Sequence, residues 1–358
     1  MKRYLRPTAF VDAPFGLDGR VARLAGGLVW FSAVEIIADD GGRRIGSEMV
    51  PVAEIERAIA GDPDAEAAWR RIVAPRPALT LGERVVRLDQ PQVMGILNLT
   101  PDSFSDGGKH VGDPAAAASA GVAMAADGAA IVDVGGESTR PGAATVWEGD
   151  EVERVVPVIR AMAAAGVALS IDTRKAAVME AAVAAGATLI NDVSALSYDP
   201  RAMDVAARSG RPVALMHYKG DPQTMQQDPR YGDVLLEVYD WIEDRIAAAE
   251  AAGIARERLI VDPGIGFGKT LRHNLQLLNG LSLFHGLGCP VLLGASRKRI
   301  VGALSGEAPV EKRLGGSIAL ALAGAAQGVQ LLRVHDVYET VQALRVWRGQ
   351  RDEALTPL

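Results

Sequence analysis

The sequence predicts an α/β fold, a (β/α)₈ TIM barrel over residues 91–350 that follows a small α+β N-terminal extension over residues 1–90. Three observations support this prediction. From Gln92 onward, short apolar runs recur at regular intervals, and helical stretches rich in Ala, Leu, Glu and Arg separate them. A polar residue stands at or just after the carboxyl end of each run. The repeated units, of about 32 residues each, add up to the size that is typical of this barrel.

The predicted strands and helices alternate along the chain. The strands are 93–97, 130–134, 168–171, 188–190, 213–216, 259–261, 291–293 and 330–334. The helices are 114–126, 149–164, 175–185, 201–209, 234–252, 271–280, 312–326 and 337–347. Glycines follow many of these helices in the position of a C-cap, namely Gly128, Gly166, Gly186, Gly210, Gly253 and Gly328. A doubly wound open sheet is the main alternative, and it would place the ligand at a switch in strand order.

The first 90 residues differ in composition from the rest. An apolar stretch at 28–37, followed by a turn from Asp39 to Gly42, predicts a hairpin. Residues 52–60 and 64–73 are predicted to be helical, and residues 84–88 are predicted to form a strand. No motif in this segment points to chemistry, so we expect the extension to serve packing or oligomer contacts.

Composition excludes several classes of protein. Of the 358 residues, 49% are hydrophobic and 23% charged, which excludes a disordered or collagen-like chain. The net charge of −6 provides no global basic field for nucleic acid or a membrane surface. The single cysteine, Cys289, cannot form an internal disulfide and fits a reducing compartment, so we expect a cytoplasmic location. No apolar signal segment follows Met1, and the longest apolar stretch is interrupted by Asp127.

Polar residues at the strand ends should meet on one face of the barrel, where barrel enzymes place their active sites. They are Asn98, Asp133, Asp172, Asn191, His217, Asp262, Ser296, Arg333 and His335. Basic groups cluster among them, because Arg140 follows the second strand and the run from Ser296 to Arg299 follows the seventh. Barrels commonly bind phosphate at the last two loops, so a phosphate or diphosphate ligand is predicted. The alternative, that the arginines pair with surface acids, suits Arg297 and Arg299 better than Arg333.

The acids and amides indicate a second ligand. Asp172, Asn191 and Asp262 could bind a metal, act as acid and base, or accept hydrogen bonds from the donor-rich edge of an amino-pyrimidinone heterocycle. No histidine neighbours these acids in sequence, which weakens the metal interpretation. The segment from Gly264 to Lys269 lacks the P-loop spacing and reads as a tight turn, with Phe267 stacking on a flat ligand or packing in the core. For Met216 and His217, two roles remain possible: they could form part of the pocket wall, or they could be structural residues that support it.

Eight motifs, each at a predicted strand end, resemble the dihydropteroate synthase family of pterin-binding barrels over residues 91–348. They are Asn98 to Gly108, Asp133 to Gly142, Ser170 to Thr173, Ile190 to Val193, Met216 and His217 with Gly220 and Thr224 to Gln226, Asp262 to Lys269, Ser296 to Lys298, and Arg333 to Asp336. The resemblance implies condensation of 6-hydroxymethyl-7,8-dihydropterin diphosphate with p-aminobenzoate, which yields 7,8-dihydropteroate and diphosphate. It also implies a homodimer. The loops that begin at Asn98 and Gly135 are long enough to act as lids.

The resemblance, together with the strand-end pattern, suggests a role for each candidate residue. The expected pterin-binding residues are Asp172, Asn191, Met216, Asp262, Phe267 and Lys298. The expected diphosphate-binding residues are Thr139, Arg140, Arg333 and His335. Phe104, Pro141 and Ser296 are expected to shape the aminobenzoate pocket, and Asn98 is expected to bind Mg²⁺. The residues expected to carry the catalysis are Asp106, Lys298, Arg333 and His335.

Other functions fit the pattern less well. A methyltetrahydrofolate methyltransferase shares the pterin pocket but has no diphosphate to hold, so Arg140, Arg333 and the run from Ser296 to Lys298 argue against it. A non-catalytic pterin-binding protein would be expected to lose loop residues such as Asn98 or Arg140, and both are present. One departure from the family pattern is Arg299, where many members carry Ser, and it adds a charge near the expected aminobenzoate entrance.

Overall fold

The computed structural model describes residues 1–100, 113–138, 145–220 and 225–354, and it begins with a small antiparallel sheet. The elements of this N-terminal part are β1 (Lys2–Val11), β2 (Ala22–Arg23), β3 (Trp30–Asp40), β4 (Arg43–Pro51), α1 (Ile55–Ile59), α2 (Pro63–Val73), β5 (Leu79–Leu81) and β6 (Arg84–Val86). Strand β3 pairs with β1 along one edge and with β2 and β4 along the other.

The predicted hairpin of the extension is confirmed, and three strands of the extension, β1, β2 and β5, were not predicted. β3 and β4 are joined at Gly41 and Gly42, whose φ values of 62° and 84° suit glycine in a tight hairpin turn. The helices predicted at 52–60 and 64–73 correspond to a short 3₁₀ turn followed by α1 and to α2. Strand β1 has no counterpart among the predicted elements, since only some of its residues are buried and they do not alternate strictly.

Eight parallel strands then form a ring. They are β7 (Gln92–Asn98), β8 (Ile131–Gly135), β9 (Leu169–Asp172), β10 (Leu189–Asp192), β11 (Val213–Met216), β12 (Leu259–Asp262), β13 (Leu292–Leu293) and β14 (Leu331–Val334). Neighbours along the chain are neighbours in the sheet, and β14 pairs with β7. A parallel bridge between Val261 and Val291 joins β12 to β13. The ring therefore closes, so the barrel prediction is confirmed and the open-sheet alternative is wrong.

Helices follow the strands around the outside of the ring. They are α3 (Pro114–Ala126), α4 (Glu148–Ala164), α5 (Ala176–Ala185), α6 (Ala202–Ser209), α7 (Val234–Ala251), α8 (Leu271–Asn279), α9 (Arg299–Leu304), α10 (Leu314–Ala326) and α11 (Val337–Ala354). The short helix α9 was not predicted, and α11 continues beyond the predicted end at 347. All six glycines predicted to cap helices have positive φ, as in Gly210 at 68°. Within the described ranges, no helix is both long enough and apolar enough to span a membrane.

Side chains of the barrel strands alternate between two environments. Residues that point outward pack against the helices in one large apolar core, as Val132, Val134, Leu169 and Ile171 do. The inward-pointing residues nearest the amino ends of the strands form a second apolar cluster, made of Met94, Ile131, Ala168, Leu189, Ala214, Ile260, Leu292 and Leu331. Every inward position above this layer is two residues further along its strand, and many of those positions are polar.

The hairpin of β5 and β6 closes the bottom of the barrel. Leu79, Leu81, Val86 and Leu88 belong to the same cluster as the lowest inward layer of the strands. A segment that precedes the predicted barrel therefore completes its core and shields its floor from water.

The rest of the extension packs on the outer helices. The Tyr4 hydroxyl donates to Asp240 on α7, at 2.8 Å from Oδ2, and the Ser282 hydroxyl donates to the carbonyl oxygen of Pro7 at 2.7 Å. The buried Arg76 guanidinium donates to four carbonyl oxygens, among them those of Cys289 and His285. These contacts join the extension to the barrel through polar groups that are buried or partly buried.

We expect Leu81→Ala to lower the free energy of unfolding by about 2–5 kcal/mol, because the change opens a cavity under the barrel. Leu81 is 1% exposed, whereas Val85 on the same hairpin is 65% exposed and serves as the control in Val85→Ala. Urea unfolding followed by circular dichroism measures both. Equal small effects of the two substitutions would show that the hairpin does not seal the floor.

Candidate functional site

The mouth of the barrel brings together most of the described residues that were predicted at strand ends. Counting two residues up each strand from the apolar floor gives the middle inward layer of Ile96, Asp133, Ser170, Asn191, Met216, Asp262, Gly294 and Arg333. The next layer contains Asn98, Gly135, Asp172, Ser296 and His335. Five of the predicted residues, Phe104, Asp106, Thr139, Arg140 and Pro141, lie outside the described residues.

Arg333 lies between two aspartates of the site. Its Nε donates to Asp133 Oδ2 and its Nη2 to Asp172 Oδ2, each at 2.6 Å. Burial opposes the charge of the guanidinium, but the two carboxylates raise the pKa of Arg333 above its usual value. The alternative of pairing with surface acids is therefore wrong for Arg333. Arg297 also pairs with an acid, since its Nε donates to Asp336 at 2.9 Å, but the Asp336 side chain is only 11% exposed.

Asp172 has an unusual protonation equilibrium. Burial raises the pKa of this carboxyl to about 7, against the opposing charge of Arg333, and the nearby Asp133 adds to the rise. Its side chain is 11% exposed. A carboxyl with such a pKa in a cleft is typical of a functional site.

Asp133 joins the arginine to the amide of the site. Asn191 Nδ2 donates to Asp133 Oδ2 at 3.0 Å, so this one oxygen accepts hydrogen bonds from both Asn191 and Arg333. Asp133 is fully buried, and its Oδ1, like Ser170 Oγ on the next strand, has no hydrogen-bond partner among the described residues. The sequence pattern placed Asp133 among the strand-end residues but indicated no role for it. Its side chain points inward because it lies two residues after Ile131, which belongs to the inward-pointing floor layer.

Asp262 is held by the glycine turn that follows β12. Its Oδ1 accepts a hydrogen bond from the Gly264 backbone at 2.7 Å, and burial raises the pKa of the carboxyl while Lys298 opposes that rise. Gly264 has a φ of 67°, and a Cβ there would lie 1.8 Å from the carbonyl oxygen of His217. Only glycine fits this approach, so the tight turn predicted here is confirmed.

Lys298 and Phe267 line the same side of the pocket. Lys298 Nζ donates to the carbonyl oxygen of Ile265 and lies 4.7 Å from the centroid of the half-buried Phe267 ring. Burial lowers the pKa of Lys298 to about 8, although Asp262 opposes the shift. Met216, which is 4% exposed, occupies the middle inward layer between Asn191 and Asp262 and so belongs to the pocket wall.

His217 supports the turn from behind. Its Nδ1 lies 2.8 Å from Lys269 Nζ, which also donates to the carbonyl oxygens of Gly264 at 2.9 Å and Phe267 at 3.0 Å. Burial, together with the charge of Lys269, lowers the pKa of His217 to about 2, and burial also lowers the pKa of Lys269 well below its usual value. His217 is therefore a structural group, and the sequence did not single out the side chain of Lys269 that organises the turn.

Two further predicted residues lie at the rim. Ser296 Oγ lies 3.1 Å from His335 Nδ1 and accepts a hydrogen bond from the His335 backbone at 3.2 Å, so the ends of β13 and β14 are linked. The Asn98 side chain makes no hydrogen bond within the described part of the chain, and its Oδ1 lies 3.4 Å from the place that a Cβ on Gly135 would occupy. Gly135 therefore places no side chain beside the half-buried Asn98 amide.

A buried ion cluster links Glu137, just after β8, to Val146 and Glu151 near the start of α4, and sequence reasoning missed it. Lys175 Nζ donates to Glu137 Oε1 at 3.0 Å, Glu151 Oε2 at 2.6 Å and the carbonyl oxygen of Val146 at 2.8 Å. Burial raises the pKa of Glu151, whereas Arg174 and Lys175 overcome burial and hold the pKa of Glu137 below its usual value. Glu137 lies in the motif that contains Thr139 and Arg140, which was the available signal.

The chemistry of the mouth follows from these contacts. Asp172 Oδ1, Asn191 Oδ1 and Asp262 Oδ2 make no hydrogen bond within the described ranges, and Lys298 adds a donor beside them. Such a pocket can accept hydrogen bonds from several N–H groups of one flat heterocycle. Among the described residues, no three acidic, histidine or cysteine side chains form a group that could hold a metal ion.

Comparisons with known proteins agree with this chemistry. A family model described as "Pterin binding enzyme" matches residues 94–335. Dihydropteroate synthase of Escherichia coli strain K12 is 51% identical over 260 residues, which covers 72% of this chain and 91% of that protein. Dihydropteroate synthase of Neisseria meningitidis serogroup B is 47% identical over 273 residues, which covers 75% of this chain and 95% of that protein.

Solved structures give the same result. The Yersinia pestis dihydropteroate synthase in complex with a sulfonamide drug has a TM-score of 0.74 and 48% identity, and the match covers 77% of this chain and 99% of that one. The Xanthomonas albilineans dihydropteroate synthase in complex with 7,8-dihydropteroate has a TM-score of 0.69 and 47% identity, and the match covers 76% and 98%. The chain therefore belongs to the dihydropteroate synthase family of pterin-binding enzymes, the transferases that form 7,8-dihydropteroate in folate biosynthesis.

Proposed function

We propose that the barrel mouth condenses 6-hydroxymethyl-7,8-dihydropterin diphosphate with p-aminobenzoate. In this proposal, a separate group of residues binds each part of the substrates. The observation that carries this proposal is the set of acceptor oxygens on Asp172, Asn191 and Asp262 above an apolar floor. A dihydropterin presents ring N–H and amino donors to such a set. Lys298 donates to the same heterocycle, while Met216 and Phe267 contact its faces.

The diphosphate lies toward the rim in this proposal. Two nitrogens of Arg333 are held by aspartates, while Nη1 makes no hydrogen bond to any described residue and remains for a phosphate oxygen. His335 lies next to it on the same strand end, and Thr139 and Arg140 are proposed as the remaining contacts. Positive groups at this position stabilise the charge that grows on the departing diphosphate.

Asn98 is proposed as the protein ligand of Mg²⁺. Magnesium is usually held by one or two protein oxygens together with substrate phosphates and water, so a single accessible amide oxygen fits a site that diphosphate completes. Magnesium bound there would add positive charge beside the leaving group. The residues that this chain contributes to the transfer are otherwise those that hold the pterin and the diphosphate.

The reaction itself is a substitution at the methylene carbon of the pterin. The bond from this carbon to the diphosphate oxygen breaks, the bond to the aniline nitrogen forms, and the amine then loses its proton. The carboxylates of Asp172 and Asp262 favour the electron-poor methylene that develops. Ser296, Phe104 and Pro141 are proposed to hold the aminobenzoate, with Asp106 close to the reacting amine. Because the electrophile drives the step, no strong general base is required.

We further propose that the enzyme acts as a homodimer in the cytoplasm. The support for this location is the single cysteine, Cys289, which is fully buried, together with the metabolic role of the family. Sedimentation of the purified chain measures the assembly, and a monomer at micromolar concentration would contradict it.

Purified protein, mixed with the dihydropterin diphosphate, p-aminobenzoate and Mg²⁺, should release 7,8-dihydropteroate and diphosphate in equal amounts. Chromatography detects the pteroate, and a coupled assay detects the diphosphate. The proposed function is wrong if neither product forms.

Arg333→Ala should reduce turnover at least about 100-fold but weaken the binding of free dihydropterin much less, because only the complete substrate carries the diphosphate. Arg345→Ala, at an exposed position of α11, is the control and should retain the activity of the unmodified enzyme. Steady-state kinetics and calorimetry give the two quantities. Equal losses of turnover and pterin binding would mean that Arg333 does not serve the diphosphate.

The rate should also fall at alkaline pH. Since the pKa of Lys298 is lowered to about 8, its cation is lost as the pH rises through that value, and with it the charged donor to the pterin. We expect kcat/KM for the dihydropterin diphosphate to fall about tenfold per pH unit above pH 8. Lys298→Arg should be slower but flat over this range, because arginine stays charged. The same alkaline fall in both enzymes would assign it to another group.

A further inference from the structure

Asp133 is the one charged residue of the middle inward layer to which the proposed function gives no role. Its carboxylate is fully buried. Oδ2 accepts hydrogen bonds from Arg333 Nε at 2.6 Å and Asn191 Nδ2 at 3.0 Å, and Oδ1 has no partner among the described residues. Burying a carboxylate is costly unless a cation compensates for it, and Arg333 is that cation.

The contact with Asn191 determines which way its amide faces. A carboxylate only accepts hydrogen bonds, so the atom that meets Asp133 must be the amide nitrogen. Without such a partner, an asparagine amide can rotate by a half-turn and present either oxygen or nitrogen to a ligand. With Asp133 in place, Asn191 presents its carbonyl oxygen and its second N–H to the pocket.

The contact with Arg333 fixes the plane of the guanidinium. Asp133 holds Nε and Asp172 holds Nη2, and these two aspartates lie on the adjacent strands β8 and β9. Because the guanidinium is rigid and planar, two anchored nitrogens determine the direction of the third. Nη1 is the nitrogen that remains for an anion.

We propose that Asp133 is a positioning residue. It orients the Asn191 amide and the Arg333 guanidinium at the same time, so that the site binds the pterin ring and its diphosphate in one fixed relative position. This inference rests on the proposed function. Asp133 touches neither substrate, and it acts through the two residues that do.

The test uses Asp133→Asn in the full chain, a change that keeps the size of the side chain and removes its charge. We expect the KM for the dihydropterin diphosphate to rise at least about 10-fold, the size of effect expected for a lost charged hydrogen bond. The KM for p-aminobenzoate should stay within about 2-fold, because no contact of Asp133 leads to that pocket.

Ser170→Ala is the matched control. Ser170 occupies the same layer on the neighbouring strand, pairs with Asp133 in register, is equally buried, and has a hydroxyl without a partner among the described residues. Both KM values of this variant should stay within about 2-fold of those of the unmodified enzyme. If the KM for the dihydropterin diphosphate rises as much in Ser170→Ala as in Asp133→Asn, the proposal is overturned. The effect would then result from any substitution in this layer and would not depend on the hydrogen bonds of Asp133.

The double variant Asp133→Asn with Asn191→Asp separates positioning from stability. It keeps a carboxylate and an amide in contact but exchanges their places, so we expect its melting temperature to recover relative to the single variant. The pterin KM should remain at least about 10-fold raised, since the ligand now meets a carboxylate and Arg333 meets an amide. A pterin KM within about 2-fold of the unmodified enzyme, in either Asp133→Asn or the double variant, overturns the inference.

Failure of both variants to fold also counts against the proposal, because a purely structural role would then account for Asp133. The unmodified enzyme is assayed first. If it forms no dihydropteroate, the proposed function fails, whereas an active enzyme with unaffected variants leaves that function intact and removes only the role of Asp133.

Discussion

Closure of eight short strands into one ring is the constraint on which the rest of the structure depends. Once the ring is closed, every second side chain must point inward, and a shift of one residue would move whole sets of side chains to the opposite face. The lowest inward layer is wholly apolar and supports the barrel. The layers above it carry Asp133, Asn191, Asp262 and Arg333, which would be costly to bury anywhere that could not pair them.

Charge balance within these layers explains why the site tolerates so many acids. Asp133, Asp172 and Asp262 face two cations, Arg333 and Lys298, and the three carboxyl groups are largely buried. The excess of one carboxylate agrees with the raised pKa of Asp172. A ligand that brings several N–H donors and a diphosphate would satisfy the free acceptor oxygens and the free nitrogen of Arg333 together. The N–H donors at one end of such a ligand therefore match the free carboxyl and amide oxygens of the mouth, and the diphosphate at its other end matches the free nitrogen of Arg333.

The N-terminal extension packs directly on the barrel, although the family model begins only at residue 94. Its β5–β6 hairpin supplies Leu79 and Leu81 to the floor, and Arg76 binds carbonyl oxygens of the segment before β13. The packing role expected for this segment is therefore visible in its contacts, while its place under the barrel could not be read from the chain. The apolar residues at 79–88 indicate that this segment is buried, but their order does not predict which surface of the protein they cover.

The sequence by itself determined the eight βα units, the glycines that end the helices, and the strand-end residues that gather at the mouth. These features are local, since they depend on side-chain periodicity and on backbone angles that only glycine adopts readily. The partners of each charge were decided by the tertiary structure alone. Arg333 meets Asp133 across 200 positions of the chain, Asn191 meets the same carboxylate across 58, and Lys175 joins Glu137 to Glu151. Each pair depends on which strands and loops lie side by side in the folded barrel, and no local pattern in the sequence encodes that arrangement.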